Sequence, residues 1–129
     1  KTEFSPSLAS CTAQADKLLA NTKINFLSGS TELGPRSQRA INALASILSR
    51  CVRVGLAAEL GGHTDNTGTG NYELSAARAV AVSEAMIARG VPREAISAVG
   101  FGPSKPIADN ATEAGRAANR RTTVRWTQQ

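Results

Sequence analysis

The chain has 129 residues, 41% of them hydrophobic and only 4% aromatic, which suits one domain with a core of Leu, Ile, Val and Ala. No run is long and apolar enough to cross a bilayer as a helix, and a single histidine with two widely spaced cysteines does not make up a metal-ligand set. The formal net charge of +5 favours anionic partners, yet the basic residues are spread along the chain as a solvated surface, concentrated only at Arg116, Arg120, Arg121 and Arg125.

Residues 1–6 read as a frayed lead-in. With neither an initiator methionine nor a signal-peptide pattern, the chain reads as a piece excised from a longer protein. Over residues 7–21, Leu8, Cys11, Ala15, Leu18 and Leu19 recur at helical spacing. Residues 23–27 alternate apolar Ile24 and Phe26 with polar neighbours, as a half-buried strand does. A polar turn at 28–31 follows. Gly34-Pro35 opens a helix, with Pro35 suited to the first helical position and Ile41, Leu44, Ile47, Leu48 and Cys51 forming its apolar stripe.

Cys11 and Cys51 therefore sit on the apolar faces of two helices and meet if those helices pack together. In an oxidising compartment they close one disulfide, worth roughly 3–4 kcal/mol in the chain-entropy model; in a reducing one they are two small buried hydrophobes. The first option carries an extracytoplasmic location with it.

Residues 52–60 read as a second strand ending at Gly61-Gly62, and 71–89 as an amphipathic helix stopped by Gly90. A turn at 91–94 leads to a third strand at 96–100, then to a rigid loop at 102–106. Thr112 is placed to cap a short helix over 113–119. A final strand at 121–127 puts Thr122, Val124 and Trp126 on one face and Arg121, Thr123 and Arg125 on the other. Alternating helices and strands imply a layered α/β sandwich: one four-stranded sheet with helices on one face.

The chemistry concentrates between Gly62 and Arg78. On an ideal wheel Arg78 falls inside the apolar arc of Leu74, Ala81, Val82, Ala85 and Met86, and a buried guanidinium demands an anion or several acceptors. Asp65 lies where the second strand ends, at the edge where open α/β sheets place ligands. Gly61, Gly62, Gly68 and Gly70 let backbone amides turn towards a ligand, and Asn71 is placed as helix N-cap. Two readings stand. Asp65 and Arg78 form an internal salt bridge that fixes the loop, or they stand apart, Asp65 taking an ammonium and Arg78 a carboxylate of an amino acid-like zwitterion. His63 has no nucleophile or second base placed to work with it and reads as structural. The Gly-x-Gly at 68–70 lacks the Gly-Lys-Ser/Thr of a phosphate loop.

The segment Gly62-His63-Thr64-Asp65-Asn66-Thr67-Gly68, followed by Asn71-Tyr72-Glu73-Leu74-Ser75-Ala76-Ala77-Arg78-Ala79, resembles the signature of the OmpA-like peptidoglycan-binding domain. The loop from Gly100 through Pro103 and Pro106 to Ala108, the closing Gly115-Arg116-Ala117-Ala118-Asn119-Arg120-Arg121, and Ile24-Asn25-Phe26 with Leu33 agree in the right order. The resemblance implies a β-α-β-α-β-(α)-β fold over residues 22–129, preceded by an extra helical extension at 1–21. It implies no catalysis, cofactor or metal. Its ligand is peptidoglycan, chiefly the meso-diaminopimelate of the peptide stem. Asp65 would take the ammonium and Arg78 the carboxylate, with Asn71 and Arg120 as polar contacts and the backbone amides around Thr64 and Leu74 helping. Such a domain anchors an envelope protein to the wall, in the periplasm or cell envelope, through a parent protein associated with a membrane. Leu27 stands where many members carry an acidic residue. The Cys11–Cys51 pair is similar to a subset with a disulfide-tethered helix.

Three other classes compete. A wall enzyme needs a metal or nucleophile set that the sequence lacks. A nucleic-acid binder would need stacking aromatics that are scarce here, so no nucleic-acid partner is expected. An envelope protein-interaction module without direct wall binding is the remaining alternative.

Overall fold

A computed structural model describes residues 7–26 and 30–128. The expected lead-in at 1–6, Leu27 and the start of the turn at 28–31 lie outside the described residues. The elements are helix α1 (Leu8–Asn21), helix α2 (Gln38–Arg53), strand β1 (Leu56–His63), helix α3 (Asn71–Ala88), strand β2 (Ile96–Gly102), helix α4 (Glu113–Asn119) and strand β3 (Arg121–Gln128), with short 3-10 turns at Pro35–Ser37 and Arg93–Ala95.

The sheet has the order β2-β1-β3, with β1 parallel to β2 and antiparallel to β3. Helix α3 lies over β1 and β2, α2 over β1, and α1 against both α2 and β3. Alternate residues Leu56, Ala58 and Leu60 of β1 and Val124 and Trp126 of β3 enter the core with Ile41, Leu44 and Leu48 of α2 and Val82 and Met86 of α3. The register sets small against large, Ala58 opposite Trp126. The expected stripe of α2 is buried in full. Cys11 and Cys51 are both fully buried and bonded, with Cα atoms 6.2 Å apart, so α1 is fastened to the same core as the rest of the chain.

The mixed sheet with helices on one face is as expected, but among the described residues it has three strands, not four. Segment 23–26 contributes one isolated bridge, Phe26 to Leu33. The reason lies in its partners. The Asn25 amide donates to Ser37 Oγ at 2.7 Å, and the Asn25 carbonyl accepts from Gly34 N and Ser37 Oγ. The ladder groups of Asn25 are thus taken by residues just beyond the following turn. A second difference concerns residues 52–60. Helix α2 continues through Arg53, and Gly55, at φ +95°, makes the stop that turns the chain into β1. Strand β1 then runs on through Gly61 and Gly62 to His63.

Gly62 is needed where α3 crosses the sheet, because a Cβ there would overlap the Ser75 carbonyl. The Ser75 hydroxyl completes this junction by accepting from Gly102 N at 2.9 Å. The N-terminal half of α3 is thus pressed onto the ends of β1 and β2, where the conspicuous charges lie.

Candidate functional site

A cleft of about 620 Å³ opens at the end of β1. Its walls come from segment 23–26, from Gly62 and His63, from Ser75 and Arg78 of α3, and from Ala117, Arg120, Arg121 and Thr122 around the α4–β3 junction.

Arg78 enters the cleft from the second turn of α3 and is half-buried. Its Nε donates to the Ser30 carbonyl at 2.9 Å, and its guanidinium carbon lies 5.0 Å from the centroid of the Phe26 ring, within cation–π range. Burial lowers its pKa, although a guanidinium keeps its proton. The group is therefore held by a carbonyl and a ring face, without a described carboxylate.

Asp65, 6% exposed, lies two residues past the end of β1. One carboxylate oxygen accepts from the Thr67 amide at 2.9 Å and the Thr67 hydroxyl at 2.6 Å; the other accepts from Arg120 at 2.6 Å. Burial pushes its pKa up, but the Thr67 hydroxyl and amide and then Arg120 outweigh that and hold it below the ordinary carboxylate value. Arg120 also bonds Glu113 at 2.8 Å, and Glu113 and Asp65 together raise its pKa.

The internal salt bridge between Asp65 and Arg78 is therefore not formed. The two charges have different partners, and the ion pair runs from Asp65 to Arg120 instead. Arg78 and Arg120 line the cleft, and Asp65 meets it through Arg120. The other expected contacts are engaged elsewhere. Asn71 is not the N-cap: Gly70, at φ +71°, holds that place, and Asn71 donates from its side chain to the Thr67 carbonyl. The left-handed turn favours glycine there. The Thr64 amide donates to the Gly102 carbonyl and the Leu74 amide to the Gly70 carbonyl, so neither is open to a ligand. The amides of the first helical turn ahead of Leu74 are the ones a helix start leaves without intrahelical acceptors. Gly61 and Gly62 serve close packing rather than amide presentation, a Cβ at Gly61 falling 2.6 Å from Thr123 Oγ1.

His63, expected to be structural, is buried at the end of β1, in the wall of the cleft. It stacks on Phe101 with ring centroids 5.0 Å apart, and its Nε2 hydrogen-bonds Thr123 Oγ1 at 2.9 Å. Burial, then Arg121 and Lys105, lower its pKa to about 4, so it is neutral at neutral pH.

Several contributors were not anticipated. Lys23 donates from Nζ to the carbonyls of Ala117 at 2.9 Å and Arg120 at 2.8 Å. Fully buried Asn119 accepts from the Ile107 and Ala108 amides and donates to the Ala108 carbonyl and to Asn110 Oδ1. It thereby bolts the 107–110 loop to the helix that presents Arg120. A buried asparagine in a polar helix end gives no periodic signal. The basic concentration noted at 116–125 was a partial pointer, because two of its four members, Arg120 and Arg121, line the cleft.

The sequence pattern of the OmpA family matches residues 25–120. Outer membrane porin F of Pseudomonas fluorescens is 38% identical over 111 residues, 84% of this chain and 33% of that protein. The peptidoglycan-binding protein ArfA of Mycobacterium tuberculosis is 40% identical over 103 residues, 78% of this chain and 31% of that protein. The chain thus spans about a third of the length of these curated relatives. The crystal structure of the peptidoglycan-associated lipoprotein from Burkholderia pseudomallei superposes with a TM-score of 0.71 at 29% identity, covering 85% of this chain and 93% of that one.

Proposed function

The chain belongs to the OmpA family, and from that premise we propose that it binds cell-wall peptidoglycan through the diaminopimelate of the peptide stem. It is a binding module, not an enzyme. That ArfA is a peptidoglycan-binding protein and the Burkholderia homologue a peptidoglycan-associated lipoprotein supports the wall as partner. The outer-membrane placement of porin F supports an envelope location. Among the described residues no helix is long and apolar enough to cross a membrane; attachment to a membrane would come through a parent protein. The binding unit is residues 22–129, with residues 1–21 an extension tethered by the Cys11–Cys51 disulfide.

The observation that carries the diaminopimelate reading is Arg78: a half-buried cation fixed by Phe26 and the Ser30 carbonyl, facing a cleft, with its charge unanswered by any described carboxylate. A ligand carboxylate supplies that charge and can bind the guanidinium in two places. Asp65 is held ionised and takes the ligand ammonium. A carboxylate has about four acceptor positions. Three are in use by Thr67 and Arg120, so the ammonium shares Asp65 with Arg120 or displaces it. Arg120, 41% exposed along its side chain and retained by Glu113, is the mobile member of that exchange.

Co-sedimentation with purified sacculi tests this. Asp65→Ala or Arg78→Ala removes one side of a charge pair, which weakens binding by about thirtyfold or more, while circular dichroism stays that of the folded domain. Undiminished binding by both variants overturns the assignment. Absence of wall binding by the unsubstituted protein favours an envelope protein-interaction module.

A further inference from the structure

The charge balance of the cleft exceeds what one zwitterionic head requires. Among the described residues its charged lining is Lys23, Arg78, Arg120 and Arg121, without an aspartate or glutamate. Arg120 is matched by Asp65 and Glu113. The other three are held by carbonyl oxygens: Lys23 by Ala117 and Arg120, Arg78 by Ser30, and Arg121 by Asn119 at 3.3 Å and Lys105 at 3.0 Å. Carbonyls satisfy N–H groups but carry no net charge. Burial lowers the pKa of each of the three, and Lys23 is lowered further by repulsion from Arg120 and Arg121. A zwitterion answers Arg78 with its carboxylate and brings a new cation for Asp65. Lys23 and Arg121 are then left without a counter-charge among the described residues.

Resting on the wall-binding reading, we propose that the cleft recognises a stem peptide with a second free carboxylate, outside the diaminopimelate, which Lys23 and Arg121 bind. These two residues come from the segment before Phe26 and from the start of β3, whereas Arg78 comes from α3, so the two anions meet different walls. The second carboxylate belongs either to the C-terminus of the stem or to its other acidic residue. Amidation of that group removes the charge and leaves the diaminopimelate contacts in place. Wall material amidated there is bound more weakly.

The test is calorimetric titration of the domain with three soluble disaccharide-peptides containing unmodified diaminopimelate. One has all carboxylates free, one is amidated at the acidic residue, and one is amidated at the C-terminus. One of the two amidations is expected to weaken binding by about tenfold, the range for a hydrogen bond to a charged group, and so identifies the carboxylate. Lys23→Met and Arg121→Gln are expected to weaken the all-free peptide by a similar factor and to bind the discriminated peptide as the unsubstituted protein does. Equal affinity for all three peptides overturns the proposal and leaves diaminopimelate binding intact. Equal weakening of all three by both variants overturns it too, because a merely structural role does that. Failure of all three peptides to bind the unsubstituted protein overturns the wall-binding reading itself. If neither variant folds, the three titrations of the unsubstituted protein still decide.

Discussion

His63 makes the stability of the domain depend on pH in a direction that can be worked out. Its pKa falls from 6.5 to about 4 on folding, first because the ring is buried and then because Arg121 and Lys105 repel its charged form. The unfolded chain therefore binds a proton between these values that the folded chain does not. Stability from the neutral ring is complete above about pH 6.5 and is lost as pH falls towards 4. At 1.36 kcal/mol per pKa unit, acidification from about pH 7.5 to about pH 5 costs about 2 kcal/mol, and by about pH 4 the cost reaches about 3 kcal/mol. Urea unfolding across this range, on the unsubstituted domain and on His63→Gln, isolates the group. The variant loses the stack on Phe101 at every pH, which shifts its curve by a constant. What His63 contributes is the slope. Asp65 does not interfere above about pH 5, since its pKa lies below 3.8. Parallel curves for the two proteins would refute the argument, as would a proton titration of the His63 ring near 6.5 in the folded state.

Three further outcomes follow from the packing and the site. Gly62→Ala places a methyl group against the Ser75 carbonyl; it should destabilise the domain by about 1–3 kcal/mol in thermal or urea unfolding and loosen the start of α3. Replacing both Cys11 and Cys51 by Ser opens a link with a sequence separation of 40, which should cost about 4 kcal/mol and lower the melting temperature while sacculus binding is kept at temperatures where the variant is folded. Wall binding should hold steady between about pH 5 and pH 8 and fail only in stronger acid. The depressed pKa of Asp65 keeps the ionised form present above the ordinary 3.8, and it is lost as pH falls through the lower folded value; loss of binding already at about pH 6 would point to a different group.

The helices and the later strands were legible because their side-chain periods are plain. The stripe of α2, the Thr112 cap, whose Oγ1 accepts from Gly115 N at 3.0 Å, and the inward face of β3 all follow from local pattern. The failures were contests between local and tertiary partners. Segment 23–26 has a strand's alternation, but Ser37 Oγ, twelve residues on, takes the backbone groups that a sheet neighbour would have taken. The helix-to-strand boundary near Gly55 was hidden because Val52 and Val54 suit either element. At the site, the wheel correctly set Arg78 apart, since a cation on an apolar face is visible in one dimension. Its partners were not, because Ser30 lies 48 residues away and Phe26 further still. The Asp65–Arg120 pair spans 55 residues, and only the fold shows that it forms in preference to a pair with Arg78. Lys23, Arg121 and Asn119 depend wholly on the meeting of segment 23–26, α4 and β3.

The central claim is that a ligand ammonium reaches Asp65 and a ligand carboxylate reaches Arg78. Titration of isotopically labelled domain with meso-diaminopimelate, followed by amide and arginine side-chain NMR signals, tests it most directly. Saturable shifts at Asp65, Thr67 and residues 71–78, together with the Arg78 and Arg120 guanidinium signals, are the predicted result, and Arg78→Ala should abolish them. A titration that leaves these signals in place, or that moves only signals remote from the cleft, would contradict the account.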